Sequence, residues 1–176
     1  AACPKNNEPK KEDKMIKKVD LPTINEPTPD LIEHILVRYH KTHRSEFPEL
    51  ITLADRVETA YAHDPNAPHG LTQALDGFIA DLEDHMCKEE AAVFAVLGDK
   101  KFGRAAMPIS ELLQDHTRQE ATLNKIAAIT HGLRLPSYAC TSWTRLYAGI
   151  GKLIEDLDEH IFLENNVLFP RVQVNI

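Results

Sequence analysis

The sequence has no long hydrophobic segment and no excess of positive charge. Its longest uninterrupted apolar run, Ala91–Leu97, is far shorter than the roughly 20 residues that a helix needs to span a bilayer. The 27 acidic residues outnumber the 20 basic ones, and the formal net charge is −7. Phosphate binding needs a basic surface. We therefore expect neither a membrane nor a nucleic acid among the partners of this chain.

Cysteine and glycine are also scarce. Cys3, Cys87 and Cys140 form neither a CxxC motif nor a paired framework. Because disulfides are typical of oxidising compartments, this pattern favours a reducing one, and we expect a cytoplasmic location. The chain has 176 residues, of which only 7 are glycine and 43% are hydrophobic. This composition predicts a compact domain with one core.

The first 28 residues differ in composition from the rest of the chain. They are rich in Lys, Glu, Asn and Pro, as in PKNNEPKKEDKMIKK and LPTINEPTP, which is typical of a linker. Thr28, Pro29 and Asp30 then supply a cap residue, a first-turn proline and an acidic residue near the helix dipole. We predict an extended, flexible tail over residues 1–28 and a folded domain over residues 29–176.

Four segments with helical periodicity follow the tail. Loop signals separate them at residues 63–70, 98–103 and 131–137, where glycine and proline cluster. Pro48 is expected to kink the first helix without ending it. Four helices of about 25 residues, joined by short loops, predict an all-α fold in which an antiparallel bundle runs up-down-up-down.

Histidine and glutamate occupy positions that the helical pattern turns toward the core. The segment DHMCKEEAAVF places His85 four residues before Glu89, and EHIFLENNVLF repeats this spacing with His160 and Glu164. Residues four apart share one face of a helix. Because glutamate is rarely buried unless it is paired or bound to a metal, the two pairs indicate a metal site.

Each of the four predicted helices carries an inward histidine. A single one is usually a hydrogen-bonded core residue, and a plain bundle with buried histidines stays open as an alternative. Four imidazoles and two carboxylates exceed the four ligands of one zinc ion. They suit two irons in a bundle core, with each glutamate bridging both metals. On the first helix, periodicity accepts either His40 or His43.

Four segments carry a family resemblance: LIEHILVRYHKTHRSEFPELI, HMCKEEAAVF, ISELLQDHTRQE and ACTSWTRLYAGIGKLIEDLDEHIFLENNVLFPR. They resemble the hemerythrin-like domain of the iron–sulfur cluster repair di-iron proteins, over about Pro29 to Arg171. The closing HxxxENNVLFPR stretch is the most specific part. The resemblance implies two non-haem iron ions, bridged by an oxo or hydroxo group. It places their ligands on His40, His85, Glu89, His116, His160 and Glu164.

The same resemblance implies a function. Family members restore iron–sulfur clusters damaged by nitric oxide or oxidants, and their di-iron centre is thought to supply iron or to react with nitric oxide. The implied partners are damaged iron–sulfur proteins or a scaffold, together with small ligands such as nitric oxide or oxygen. Any enzymatic activity would be a redox reaction of the di-iron centre.

Two features depart from the family pattern. The family pattern that this chain resembles has a fifth histidine at the end of the first helix, in a stretch like VExxH. The corresponding stretch here is VETAY, so Tyr61 stands at the position of that histidine. We expect this ligand to be missing rather than replaced by His63. The resemblance also implies that full-length members carry a small domain with adjacent cysteines before the region matched here. The first 28 residues look like the linker that would follow such a domain.

A second function class stays open, namely a hemerythrin-type carrier or sensor of oxygen or nitric oxide. The resemblance to hemerythrin proper would imply a site with five histidines and two carboxylates. Here four histidines align, so more coordination positions are left for water or substrate, which favours reactive chemistry or iron release.

Several polar neighbours are expected to stay outside the site. Glu120 follows His116 by four residues, but a solvated position is favoured. Asp84, Asp115 and Glu159 each precede a ligand histidine by one residue and are predicted to be surface charges. His43 is predicted to be partly exposed or to lie beside the ligands.

Overall fold

The computed structural model describes residues 25–97 and 109–173, with the side chains of residues 25–92 and 109–171. Most of the predicted tail, including Cys3, and the loop predicted at 98–103 lie outside these residues. Every regular element in the described ranges is helical. The elements are α1 (Thr28–Ile35), the π-helical turn π1 (Leu36–His40), α2 (Lys41–Ala60), α3 (Leu71–Leu97), α4 (Ile109–Ile129), α5 (Thr141–Leu163), the π-helical turn π2 (Glu164–Leu168) and α6 (Phe169–Gln173).

These elements form four long helices. The first consists of α1, π1 and α2, the second and third are α3 and α4, and the fourth consists of α5, π2 and α6. Tyr61 at the end of the first helix packs against Trp143 at the start of the fourth. At the other end of this pair, Arg171 donates a hydrogen bond to the carbonyl oxygen of Glu26. The predicted all-α antiparallel four-helix bundle is confirmed.

The first helix begins one residue earlier than its sequence signals predicted. Pro27, not Thr28, occupies the cap position, and its carbonyl oxygen accepts the amides of Asp30 and Leu31 at 3.1 Å. Pro29 lies in the first turn, where a missing N–H costs no hydrogen bond. Pro48 lies inside α2, and the helix continues through it as predicted.

Apolar side chains form two clusters, one on each side of a layer of buried histidine and glutamate. The larger cluster draws on all four helices and includes the fully buried Trp143, Phe78 and Leu75. The smaller cluster contains Leu31, Ile32, Ile35, Tyr39, Leu112, Leu163, Val167, Leu168 and Phe169. Along the first, third and fourth helices, the buried histidines lie between the residues of one cluster and those of the other.

No helix of the described residues is both long and apolar enough to cross a membrane.

Candidate metal centre

The six side chains predicted to bind metal lie together in the polar layer. Each is 4% exposed or less. They form two groups of four whose ligand atoms all lie within 4.8 Å of one another, and the two groups share both glutamates. The first group is His40, Glu89, His160 and Glu164, and the second is His85, Glu89, His116 and Glu164. We call them the first and second metal positions.

The four imidazoles face each other in two pairs across helix interfaces. The Nε2 atoms of His40 and His160 are 3.1 Å apart, between the first and fourth helices. The Nε2 atoms of His85 and His116 are 3.0 Å apart, between the second and third helices. Each pair therefore directs two nitrogen donors at one point in the core.

The two carboxylates join the imidazole pairs. Glu89 places Oε2 at 3.4 Å from Nε2 of His40 and Oε1 at 3.3 Å from Nε2 of His85. Glu164 places Oε1 at 2.7 Å from Nε2 of His160 and Oε2 at 3.1 Å from Nε2 of His116. Each carboxylate thus gives one oxygen to each position, which is how bridging glutamates hold a metal pair in a helical bundle.

The π-helical turns lie at the level of the site. His40 is the last residue of π1, and Glu164 is the first residue of π2. In each turn the hydrogen bond spans five residues, from the amide of Lys41 to the carbonyl of Leu36 in π1. Such turns occur frequently at functional sites. The last two residues of π1, Tyr39 and His40, are both buried.

The electrostatics of the layer suit a cation. The two oxygens of Glu89 are buried without a well-formed hydrogen bond among the described residues, and their nearest partners are the imidazoles of His40 and His85, at 3.4 and 3.3 Å. Burial disfavours charged imidazoles, yet the carboxylates of Glu89 and Glu164 raise the pKa of His40 and of His85. Burial also opposes ionisation of Glu164, but His160 and His116 hold its pKa well below the usual range. The donor set therefore fits metal ions.

The outer ring nitrogens of three histidines have partners. Nδ1 of His40 lies 3.0 Å from Oε1 of Glu90, and Nδ1 of His85 lies 3.4 Å from Oδ2 of Asp115. Nδ1 of His116 lies 2.8 Å from Oδ1 of Asn165. Nδ1 of His160 is buried and has no hydrogen-bond partner among the described residues. Such outer partners orient metal-binding imidazoles and make them more basic.

Two carboxylates predicted to be surface charges contact the site instead. Asp115 is 6% exposed and reaches His85. Glu159 is half-buried and accepts a hydrogen bond of 3.3 Å from the hydroxyl of Tyr39, whose ring stacks on His160 with centroids 5.1 Å apart. Both residues point away from their own neighbouring histidine, as predicted, but toward an adjacent helix rather than toward water. Asp84 is exposed, as predicted, and pairs with Lys88.

His43 is fully buried beside His160, which is one of its two predicted placements and excludes the other, partial exposure. Its ring stacks on Phe47 and lies 5.9 Å from that of His160, between centroids. Neither of its nitrogens has a hydrogen-bond partner among the described residues. Burial, together with the neighbouring His160, lowers the pKa of His43 to about 3, so the ring is neutral at neutral pH. His43 belongs to neither metal position.

Three other candidates lie outside both positions. Glu120 is exposed on α4. Tyr61 packs against Trp143 at the far end of the larger cluster, and His63 is exposed in the following loop. Neither residue replaces the fifth histidine of the family pattern.

Comparison with known proteins agrees with this geometry. Residues 31–172 match the family described as the hemerythrin HHE cation binding domain. The chain is 43% identical over 145 residues to proteins named iron-sulfur cluster repair protein YtfE from Salmonella paratyphi B, Salmonella newport and Salmonella heidelberg. The match covers 82% of this chain and 66% of each relative, so the chain spans just under two thirds of their length.

Proposed function

The chain belongs to the hemerythrin HHE cation-binding domain family, and from this premise we propose that it is a non-haem di-iron protein that helps to repair damaged iron–sulfur clusters. The observation that supports the metal pair most strongly is that Glu89 and Glu164 each give one oxygen to both positions. The proposed role in repair is supported by the name of the relatives.

The proposed metal is iron because of the chemistry of the donors. Each position offers two imidazole nitrogens and two carboxylate oxygens and no thiolate. This mixture suits iron, and two adjacent positions that share both carboxylates differ from a structural zinc site, in which four ligands close around one ion. Four protein donors per iron leave coordination positions for water or for a small ligand such as nitric oxide or oxygen.

The chain's own residues bind and shield the metals. When bound, the pair supplies one-electron chemistry and a store of iron. The six side chains hold it, Glu90, Asp115 and Asn165 orient three of the imidazoles, and the apolar clusters on both sides exclude bulk water. We propose that the iron is given to damaged iron–sulfur proteins after nitrosative or oxidative stress, or that it reacts with nitric oxide.

We also propose that the protein acts in the cytoplasm. Cys87 and Cys140, the cysteines of the described residues, are both free and exposed, which supports a reducing compartment.

Metal analysis tests the metal part of this proposal. Anaerobic loading with ferrous iron should give about two irons per chain, because the two carboxylates bridge two positions. Glu89→Ala and Glu164→Ala should each lose most of the iron. Glu120→Ala, on the exposed side of α4, is the matched control and should keep it. One tightly bound zinc and no iron after careful loading would contradict the proposal.

A second assay tests the role in repair. An iron–sulfur enzyme inactivated by nitric oxide should regain activity faster with the loaded protein than with the same amount of free ferrous iron, and the Glu89→Ala variant should give no advantage. Spectra of the diferric protein with and without azide or nitric oxide test the carrier alternative. A stable, reversible oxygen adduct without any repair activity would favour that alternative.

A further inference from the structure

The two metal positions differ in the support of their imidazoles. In the second position both outer nitrogens have partners, Asp115 on His85 and Asn165 on His116. In the first position only His40 has one, because Nδ1 of His160 has no hydrogen-bond partner among the described residues. An imidazole without an outer partner is less firmly oriented and is a weaker ligand. The first position therefore depends on a single outer contact, between Glu90 and His40.

That contact is part of a network that reaches the surface. Oε1 of Glu90 lies 3.0 Å from Nδ1 of His40 and accepts a hydrogen bond of 2.6 Å from Nη1 of Arg44. Nε of Arg44 also donates to both oxygens of Glu83, at 3.0 and 2.9 Å. The network joins α2 to α3. The guanidinium of Arg44 therefore fixes the carboxylate of Glu90 at the place where it meets His40.

Exposure separates this network from Asp115, which supports His85 in the second position, whereas Asn165, the support of His116, is half-buried. The side chains of Glu90 and Arg44 are 25% and 34% exposed, whereas that of Asp115 is 8% exposed. The carboxylate that orients His40 can therefore exchange its partners for water or for another solute more easily than the one that orients His85.

We propose that the iron bound by His40 and His160 is the exchangeable one of the pair, and that Glu90, held by Arg44, is the positioning residue that sets how fast it leaves. This rests on the proposed di-iron function and extends it by identifying the iron that is delivered. Release is a ligand exchange in which iron leaves as the ferrous ion to an acceptor and no electron is transferred.

Release kinetics test the proposal. The protein loaded with ferrous iron is mixed anaerobically with an excess of a ferrous chelator, and the coloured complex is followed in time. Wild type should show two phases of equal amplitude. Glu90→Gln should accelerate the fast phase by about 10-fold, the lower end of what loss of an outer partner causes, and leave the slow phase unchanged.

Glu83→Gln is the matched control, because Glu83 also binds Arg44 but is not bonded to His40. Glu83→Gln should keep the rates of both phases within about twofold of the wild-type rates, a smaller change than the loss of an outer partner of a ligand causes. Arg44→Gln keeps the carboxylate of Glu90 but removes the guanidinium that binds it, so it should accelerate the fast phase less than Glu90→Gln does. It also serves as the second variant if Glu90→Gln does not fold.

Mössbauer spectra assign the phases and separate positioning from a general loss of structure. Glu90→Gln should shift one of two iron doublets, and that doublet should be the one that disappears during the fast phase. The inference is overturned if both irons leave in one phase, if Glu90→Gln accelerates both phases equally, or if Glu83→Gln has the same effect. A protein that binds no iron at all would instead refute the proposed function.

Discussion

The two apolar clusters of the bundle differ in size and in backbone regularity. The helical residues of the larger cluster all lie on regular α-helices, namely α2, α3, α4 and α5. The smaller one includes Tyr39 of π1 and Val167 and Leu168 of π2. The comparison teaches that the irregular turns belong to the end of the bundle that holds the smaller cluster, where they contribute His40 and Glu164 to the site. The other four residues of the site lie on regular α-helices.

The energetic roles of the two regions differ as well. Burial of each large apolar side chain contributes about 1.5–3 kcal/mol, so the larger cluster dominates stability. The polar layer has no such contribution before metal binds, because its buried carboxylates lack full hydrogen bonding and desolvation of charge is costly. We therefore expect the metal-free protein to fold, with its stability located in the larger cluster.

The largest effect on stability is expected in the larger cluster. Trp143 is fully buried and packs against Tyr61 and Tyr147. Trp143→Ala should lower the free energy of unfolding of the metal-free protein by about 3–5 kcal/mol, measured by urea denaturation. Phe162→Ala, at a position 51% exposed, is the aromatic control and should change it by less than about 0.5 kcal/mol. Iron content should be normal in the folded fraction of both variants, and its loss in Trp143→Ala would contradict this separation.

A smaller loss of stability, but a larger loss of function, is expected in the smaller cluster. Leu168 is 4% exposed and ends π2, whose first residue is Glu164. Leu168→Ala should cost about 2–4 kcal/mol and also weaken iron binding, because the cavity frees the turn that places the carboxylate. Stability and iron affinity are measured on the same preparation. Weaker folding with unchanged iron affinity would show that the smaller cluster does not support the site.

An effect of opposite sign is expected in the layer between the clusters. Glu89→Leu removes a buried carboxylate whose nearest partners are the imidazoles of His40 and His85, at 3.4 and 3.3 Å. Because the desolvation of this carboxylate outweighs such long contacts, the metal-free protein should gain about 1 kcal/mol of stability, measured at mildly alkaline pH. The same variant should bind no metal pair. Destabilisation would show instead that the imidazoles need Glu89 in the absence of metal.

The sharpest test of the ligand register comes from two histidines three residues apart. His40→Ala should lose iron or alter its spectrum, whereas His43→Ala should leave both nearly intact, because only His40 belongs to a metal position. Iron content and the visible spectrum are measured after identical loading. If His43→Ala is the variant that loses iron, the ligand on the first helix is misassigned. Equal losses would indicate a fifth histidine ligand and support the oxygen-carrier alternative.

Helical periodicity predicted much of this molecule because the proposed ligands follow the same spacing as the core. His85 and Glu89 are one turn apart on a regular α-helix, so sequence spacing alone places them on one face. The bundle follows from four such helices with short loops. The assignment of His40 rested instead on the family resemblance, since periodicity accepted either histidine of that turn.

The surroundings of the ligands were harder to predict. The spacing of Asp115 shows that it points away from its neighbour His116, but only the packing of α4 against α3 determines that it meets His85. The π-helical turns have no composition of their own and were not predicted, and sequence spacing left open whether His43 is partly exposed or lies beside the ligands.

The two π-helical turns also affect how this chain aligns with other proteins. Each such turn accommodates one more residue than the α-helical path it interrupts. An alignment of this chain with a bundle of uninterrupted helices therefore needs a one-residue gap within Leu36–His40 and another within Glu164–Leu168. Both gaps fall inside helices, where alignments usually avoid gaps. If either gap is omitted, every residue between that turn and the nearer end of the bundle is aligned one position away from its structural equivalent.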